Sequence, residues 1–391
     1  MSASRDKTKK RGPNTAVIAA GRHPPDQHGF VNTPVYHGST VLYPSADDLL
    51  ANRIRYSYGR RGSPTIDALS EAMNELEGAH GTVITPSGLS AVTTALLSVV
   101  SPGDHLLVSD SVYHPTRHFC DTTLKRLGVN TSYYDPLMGG EIAGLMQKNT
   151  RAVFTESPGS LTFEVQDIPA IAKAAHESGA VVLMDNTWAT PHLFRPLAHG
   201  VDMSIQAGTK YISGHADILI GTVSANERAW PHLRDTHGAL GLMAGPDDIY
   251  LALRGLRTLG VRLARHQEAG IAIARWLKER PEVSSVIHPA LESDAGHAIW
   301  KRDFAGASGL FALELKPVSD KKLRAFLDAL ELFGMGYSWG GFESLIIPVD
   351  TRYRLLPSPY KGPLLRLHIG LEDLDDLTGD LEAGFAALSN A

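Results

Sequence analysis

One lysine, Lys210, differs from the other lysines of the chain in its surroundings. It follows the apolar run Met203–Ala207, and no other formally charged side chain lies between Asp202 and Asp217. Burial at the end of a strand disfavours the ammonium form, which lowers the pKa of the amine and makes it a better nucleophile. Such an amine can form a Schiff base with a carbonyl compound. The alternative is a lysine that simply extends from the strand end into water.

A carboxylate, Asp185, ends a second apolar run, Ala180–Asn186. An aspartate and a lysine at the ends of two strands of one sheet can face a common ligand from two sides. Pyridoxal phosphate (PLP) suits this pair, because the lysine holds its aldehyde while the aspartate keeps the ring nitrogen protonated. An aspartate that only caps a loop is the alternative.

The segment Pro86–Leu89 is a candidate site for the phosphate of this cofactor. It precedes a predicted helix, Ser90–Val100, and the free backbone N–H groups at a helix start attract anions. Thr209 offers a hydroxyl beside Lys210, and Tyr113 follows a predicted strand from which its ring could lie flat against the cofactor. A simple helix cap at Ser87 and an ordinary loop tyrosine are the alternatives.

The composition excludes several classes of protein. The 391 residues carry 37 Lys and Arg against 42 Asp and Glu, a net charge of −5, which argues against a nucleic-acid partner. One cysteine, Cys120, can form neither an intramolecular disulfide nor a multi-cysteine metal site. The histidines lack HExxH-type spacing, so no metal is expected, and neither a dinucleotide-binding glycine motif nor a Walker A motif occurs.

The start of the chain, residues 1–11, is basic but is followed by no apolar core of a signal peptide. The apolar stretches, such as residues 90–100, are far shorter than the ~20 residues that cross a bilayer. We therefore expect a cytoplasmic protein with no membrane partner.

Short apolar runs alternate with helical patterns between residues 80 and 225. The predicted strands are Gly81–Thr85, His105–Asp110, Arg151–Glu156, Ala180–Asn186, Met203–Ala207 and Asp217–Ala225, and the predicted helices between them are Ser90–Val100, Pro115–Leu127 and Ile168–Glu177. This order predicts an α/β fold with a mostly parallel sheet covered by helices on both faces. Ligands bind at the carboxyl ends of such strands.

The pattern changes after residue 245. A long helical tract, Asp247–Arg280, is followed by three predicted strands (Ser308–Lys316, Ser344–Pro348, Leu364–His368) and two helices (Asp320–Phe333, Glu372–Leu388). The sequence thus predicts an extended arm over residues 1–60, a large domain over 61–250 and a smaller C-terminal α+β domain over 251–391.

Seven motifs make the chain similar to the transsulfuration family of PLP-dependent enzymes, over nearly its whole length from about Tyr36 to Phe385. They are Tyr58–Thr65, Glu156–Gly159, Asp185–Trp188, Ser204–Tyr211, Gly255–Gly260, Tyr337–Ser344 and Arg366–Asp373. The resemblance implies the aspartate-aminotransferase-like fold (fold type I), with a mostly parallel seven-stranded sheet in the large domain.

The resemblance also implies roles for individual residues around the cofactor. Lys210 would bind PLP covalently and move the substrate proton, Asp185 would pair with the pyridine nitrogen, and Tyr113 would stack on the ring. The phosphate would be held by Gly88, Leu89 and Thr209.

Further roles follow for the substrate and for a second subunit. In the family, the residues that match Tyr58 and Arg60 reach the phosphate of a neighbouring subunit, which implies a homo-oligomer with shared sites, at least a dimer and more specifically a tetramer. Arg366 would bind the α-carboxylate of the substrate, as guanidinium geometry favours. Ser338 and Trp339 would lie beside it.

Three details favour cleavage on the β side of the substrate sulfur. Ala207 replaces a serine common in γ-acting relatives, the segment after Glu156 lacks their asparagine, and Trp339 follows Ser338. The expected reaction is α,β-elimination of L-cystathionine to homocysteine, pyruvate and ammonia, as used in methionine biosynthesis. Either Lys210 or Tyr58 would protonate the departing thiolate.

Three alternatives remain. A γ-lyase, a γ-synthase or a cysteine desulfhydrase would share the scaffold, and a non-catalytic PLP-binding regulator would share the fold. The segment Gly336–Gly340 also matches the G-x-S-x-G pattern of serine hydrolases, with Asp350 and His368 after it. Its context is unsuitable, since a helix is predicted before it and a strand after it, the reverse of what that motif requires.

Overall fold

The computed structural model describes residues 11–391, and a seven-stranded sheet forms its first half. The strands are β1 (Gly81–Thr85), β2 (His105–Ser109), β3 (Asn130–Tyr134), β4 (Thr150–Glu156), β5 (Val181–Asp185), β6 (Met203–Gln206) and β7 (Gly221–Ala225), in the spatial order β1-β7-β6-β5-β4-β2-β3. The pairs within β3-β2-β4-β5-β6 are parallel, while β7 is antiparallel to both β6 and β1. The predicted mostly parallel seven-stranded sheet is confirmed.

Helices cover both faces of this sheet. The helices of the chain are α1 (Pro13–Ala19), α2 (Ala46–Leu50), α3 (Pro64–Glu77), α4 (Gly88–Leu97), α5 (His114–Phe119), α6 (Ile168–Glu177), α7 (Thr190–Leu193), α8 (Trp230–Leu240), α9 (Pro246–Leu256), α10 (Leu259–Lys278), α11 (His297–Asp303), α12 (Asp320–Asp328) and α13 (Leu374–Asn390). Buried side chains of α3, α6, α9 and α10 belong to the core on one face. Those of α4 pack in the core on the other face with Cys120, Leu124 and Leu233.

A second, antiparallel sheet follows in the C-terminal half. Its strands are β8 (Val283–Ile287), β9 (Leu310–Leu315), β10 (Leu345–Pro348) and β11 (Leu364–His368), in the order β10-β11-β9-β8. Helices α12 and α13 pack against each other and on this sheet, with the rings of Phe326 and Phe385 5.0 Å apart. The predicted smaller α+β unit at the C-terminus is therefore present, while the domain boundaries at residues 60/61 and 250/251 stay predictions.

Some elements differ from the sequence prediction. The strands β3 and β8 lie at sheet edges and carry polar, partly exposed residues, so they lack the continuous apolar run by which central strands are recognised. The predicted helix Pro115–Leu127 is divided, because α5 ends at Phe119 and a π-helical turn, Cys120–Leu124, follows it. The tract Asp247–Arg280 is two helices, α9 and α10.

The segment predicted as an extended arm contains two short helices, α1 and α2. Ala16 and Val17 of α1 are buried in the first core, whereas Leu42 and Leu50 further along are more than four-fifths exposed. Within residues 11–391, no helix combines the length and apolarity needed to span a membrane.

Candidate active site

The carboxyl ends of the parallel strands bring several polar side chains to one edge of the large sheet. Glu156 ends β4 and Asp185 ends β5, and the two residues are direct partners in the strand register. Tyr113 follows β2, and Lys210 follows β6. Lys210, Asp185 and Tyr113 therefore lie along one edge of the sheet.

Lys210 lies in a turn that its own backbone closes, since its N–H donates to Ala207 and its carbonyl accepts from Gly214. Its Nζ donates a hydrogen bond to Oγ of Ser338 at 2.7 Å and lies 5.5 Å from the centre of the Trp339 ring. Burial, and then the positive charge of Arg366, lowers the pKa of this amine to about 8. At neutral pH a much larger fraction of the Lys210 amine is therefore deprotonated than in an ordinary lysine.

Asp185 presents one free carboxylate oxygen. The backbone N–H and the hydroxyl of Thr187 both donate to Oδ1, and the Thr187 hydroxyl in turn accepts from the Ala207 N–H. Among the residues that the structure describes, none donates to Oδ2. Burial raises the pKa of this carboxyl, so a cationic N–H partner at Oδ2 would stabilise its charged form.

The start of α4 forms a cradle of backbone donors. Ser87 caps the helix by accepting from the Ser90 N–H at 3.1 Å, whereas no partner within residues 11–391 accepts from the N–H groups of Gly88 and Leu89. A Cβ on Gly88 would lie 2.4 Å from that of Ala207, so only glycine allows this close approach. Unpartnered N–H groups at a helix start fit a phosphate.

Thr209, beside Lys210, is already engaged in this conformation. Its hydroxyl donates to the carbonyl of Ile220 at 3.2 Å and accepts from the N–H of the same residue at 3.0 Å. The hydroxyl therefore ties the lysine turn to the segment that leads into β7.

Arg366 on β11 holds the segment that carries Ser338. Only 3% of Arg366 is exposed, and its guanidinium donates to the carbonyls of Gly336, Tyr337 and Ser338 at 2.7 to 2.9 Å. Its Nε is buried and has no partner among the described residues. Burial lowers the pKa of Arg366 to about 10, and the cation remains a donor suited to a carboxylate.

Tyr113 is 47% exposed at the start of α5. Its backbone N–H donates to Oε2 of Glu156 at 2.7 Å, and burial together with the carboxyls of Glu156 and Asp185 raises the pKa of its phenol. Its ring thus belongs to the same site as Asp185.

Two predicted residues, Tyr58 and Arg60, make no hydrogen bond to the other site residues within residues 11–391 of this chain. Tyr58 is 48% exposed, and Arg60 donates to the carbonyl of Gly238 at 3.1 Å. In the described part of the chain, no hydrogen bond joins either residue to Lys210, Asp185 or the start of α4.

Glu156 is a site residue to which the sequence argument assigned no role. Its signal was its place at the end of a predicted strand, the same signal that identified Asp185. Burial, and then the charge of Asp185, raises its pKa well above the usual value.

The serine-hydrolase alternative is disfavoured by the partners of Ser338. Its hydroxyl accepts from Lys210, while Nε2 of His368 faces the N–H of Gly340 at 3.1 Å. Across residues 11–391, no hydrogen bond joins Ser338 to a histidine, and no group of three potential metal ligands occurs.

The free oxygen of Asp185, the donor cradle at Gly88 and the amine of Lys210 fit PLP. A profile described as "Cys/Met metabolism PLP-dependent enzyme" matches residues 14–386. A putative cystathionine beta-lyase of Rhizobium johnstonii is 56% identical over 97% of each chain. The cystathionine beta-lyase MetC of Escherichia coli is 45% identical over 96% of this chain and 98% of its own.

A solved structure, cystathionine gamma synthase from Xanthomonas oryzae in complex with aminoacrylate and cysteine, superposes with a TM-score of 0.91. It is 33% identical and covers 98% of this chain and all of its own. The fold expected from the resemblance is therefore confirmed, and the chain belongs to the Cys/Met metabolism family of PLP-dependent enzymes.

Proposed function

We propose that this chain is a PLP-dependent carbon–sulfur lyase that cleaves L-cystathionine, with one water, to homocysteine, pyruvate and ammonia. The observation that carries the proposal is the contact between Lys210 and Ser338, because it places a lysine amine of lowered pKa beside a segment held by a buried arginine, Arg366. The names of the relatives at 45% and 56% identity support the same activity.

When bound, PLP supplies an electron sink for the electrons released at the substrate Cα. Gly88 and Leu89 would bind the phosphate through their N–H groups, with Thr209 beside them. Oδ2 of Asp185 would hold the proton on the ring nitrogen, and Tyr113 would cover the ring. These contacts would fix the orientation of the cofactor.

Lys210 is the base. Its amine takes the proton from Cα, and a pKa of about 8 lies close to the pH at which such a transfer works best. Ser338 accepts from Nζ and thereby directs the amine. Once the Cβ–S bond has broken, the departing thiolate takes a proton from Lys210 or from Tyr58 of a second subunit.

Arg366 recognises the α-carboxylate of the substrate, with Ser338 and Trp339 beside it. Its buried Nε supplies the free donor, and the lowered but still high pKa keeps the guanidinium charged. Trp339 and Ala207, which distinguish the chain from γ-acting relatives, favour the β reaction.

We further propose a homo-oligomer with shared sites, at least a dimer and more specifically a tetramer. Tyr58 and Arg60 would then reach the phosphate of the partner, in keeping with the lack of hydrogen bonds from either residue to Lys210 among the described residues of one chain. The division into an arm (1–60), a cofactor domain (61–250) and a small domain (251–391) and the cytoplasmic location complete the proposal.

The products distinguish this function from the γ alternatives on the same scaffold. We expect the PLP-loaded protein to release pyruvate and homocysteine from L-cystathionine. Release of 2-oxobutyrate and cysteine would assign γ-cleavage and contradict the interpretation of Trp339 and Ala207. The control is Lys210→Ala, which should lose turnover; full activity in that variant would refute the role of the lysine.

A further inference from the structure

Glu156 forms a contact that none of the proposed catalytic roles explains. It ends β4 beside Asp185, and its Oε2 accepts the backbone N–H of Tyr113 at 2.7 Å. Because Tyr113 is the cap residue of α5, its N–H has no acceptor within the helix. The carboxyl of Glu156 therefore sets where the Tyr113 backbone lies.

The backbone of Glu156 is itself fixed. Gln166, fully buried, donates from Nε2 to the Glu156 carbonyl at 2.7 Å and to the Ser109 hydroxyl at 3.3 Å. The carbonyl of Ser111 accepts from the N–H of Ser160 at 2.8 Å. The segment after β4 and the loop that carries Tyr113 are thus bound to each other at several points.

The charges around Glu156 favour its protonated form. Asp185, its neighbour across the strands, raises the pKa of Glu156, the Tyr113 N–H and then Arg354 lower it, and Glu164 adds a smaller increase. Burial and the charge of Asp185 raise the pKa of Glu156 well above that of an ordinary glutamate. Two adjacent carboxylates resist double ionisation, and burial raises the pKa of Asp185 as well.

We propose that Glu156 is a positioning residue, whose carboxyl oxygen anchors the backbone of Tyr113 and thereby sets the Tyr113 ring over the cofactor. The proposal rests on the PLP site and is independent of which sulfur amino acid the enzyme cleaves. Glu156 acts through Tyr113 and leaves the ring nitrogen to Asp185.

Three substitutions of Glu156 distinguish its role as a hydrogen-bond acceptor for Tyr113 from the effect of its charge. Glu156→Gln keeps an acceptor oxygen and cannot ionise, Glu156→Leu removes the acceptor at similar volume, and Glu156→Asp withdraws it by one methylene. The matched control is Glu164→Gln, because Glu164 lies in the following segment but bonds to Thr162 and Arg354 and not to Tyr113.

The readouts are the dissociation constant of PLP from the reconstituted apoprotein and the visible circular dichroism of bound PLP, which reports the ring environment. We expect Glu156→Gln and the control to stay within about twofold of the parent with an unchanged dichroic band. Glu156→Leu should weaken PLP binding about tenfold, the worth of one hydrogen bond, and alter the band.

Each other outcome overturns part of the proposal. An unchanged band and affinity in Glu156→Leu would show that the contact does not position Tyr113. Equal damage in Glu156→Gln would show that Glu156 acts as an anion. If the leucine variant does not fold, Glu156→Asp serves as the test, and we expect it to alter the dichroic band of bound PLP in the same way. These readouts stand even if L-cystathionine proves not to be the substrate.

Discussion

The lowered pKa of Lys210 makes a direct prediction for the attachment of PLP to the apoprotein. Only the neutral amine attacks the aldehyde, so the attachment rate should follow the deprotonated fraction of Lys210. With a pKa of about 8 in place of 10.5, roughly one amine in ten is neutral at pH 7, against about one in three thousand for an ordinary lysine. The structure therefore predicts a neutral fraction larger by about 300-fold.

The assay measures the visible absorbance of PLP as it attaches to the apoprotein, over a range of pH. The rate at which PLP reacts with N-acetyl-lysine in the same buffers serves as the reference. Dividing the attachment rate by this reference rate removes the effect of the ionisations of PLP itself. The ratio of the two rates should be constant below about pH 7 and should fall about tenfold per pH unit between about pH 8 and 10. The absorbance change that reports attachment should be absent from Lys210→Ala.

A ratio that stays constant up to about pH 10 would refute the reasoning, since it would mean that Lys210 titrates like a lysine in water. Burial and the nearby Arg366 would then not govern the amine.

Three more predictions concern the cradle, a buried ion pair and a buried carboxyl. Gly88→Ala should weaken PLP binding more than tenfold with little loss of thermal stability, because its Cβ would lie 2.4 Å from that of Ala207 and displace the cradle; unchanged titration of PLP would contradict this. Asp110→Ala should lower the free energy of unfolding by about 3–5 kcal/mol in urea denaturation, because it leaves the buried Arg117 without its carboxylate; a loss under ~1 kcal/mol would contradict it. Burial raises the pKa of Glu77 from 4.5 to about 7, so the folded state binds the proton of this carboxyl more tightly than the unfolded state does. The free energy of unfolding should therefore fall by ~3 kcal/mol as the pH rises from about 4.5 to 7. Glu77→Gln should flatten that decline in unfolding midpoints, and an unchanged slope would show that Glu77 does not titrate there.

The sequence predicted six of the seven strands of the large sheet, including the edge strand β1, and missed the edge strand β3. The runs that became β2, β4, β5 and β6 are largely buried and rich in apolar residues, which makes them recognisable. The edge strand β3 reads Asn-Thr-Ser-Tyr-Tyr and shows neither that run nor a clear alternation.

The cofactor side of the site was predictable for the same reason. Lys210 and Asp185 stand at the ends of central strands, where parallel topology brings them together. Glu156 satisfies the same rule, yet its contact with the Tyr113 backbone depends on a loop path that no pattern of residues encodes.

The residues expected to bind the substrate could be predicted only from the resemblance to the family. Ser338 contacts Lys210 across 128 positions of sequence, and Arg366 binds three backbone carbonyls of residues 336–338. Neither pairing leaves a periodic signal, because each depends on the path of the loop that carries Ser338.

The hydrogen bonds from Arg366 to the carbonyls of residues 336–338 have an evolutionary consequence. Within one chain, the strand-end and helix-start groups suited to PLP come from residues 88–210, whereas one side chain of β11 binds three successive carbonyls of the segment beside the amine. Substitutions within that segment can alter which amino acid the enzyme accepts, while the residues that bind the cofactor stay unchanged. Exchange of residues 335–370 between family members is therefore a route by which selection, or an engineer, can diversify substrate choice without rebuilding the chemistry.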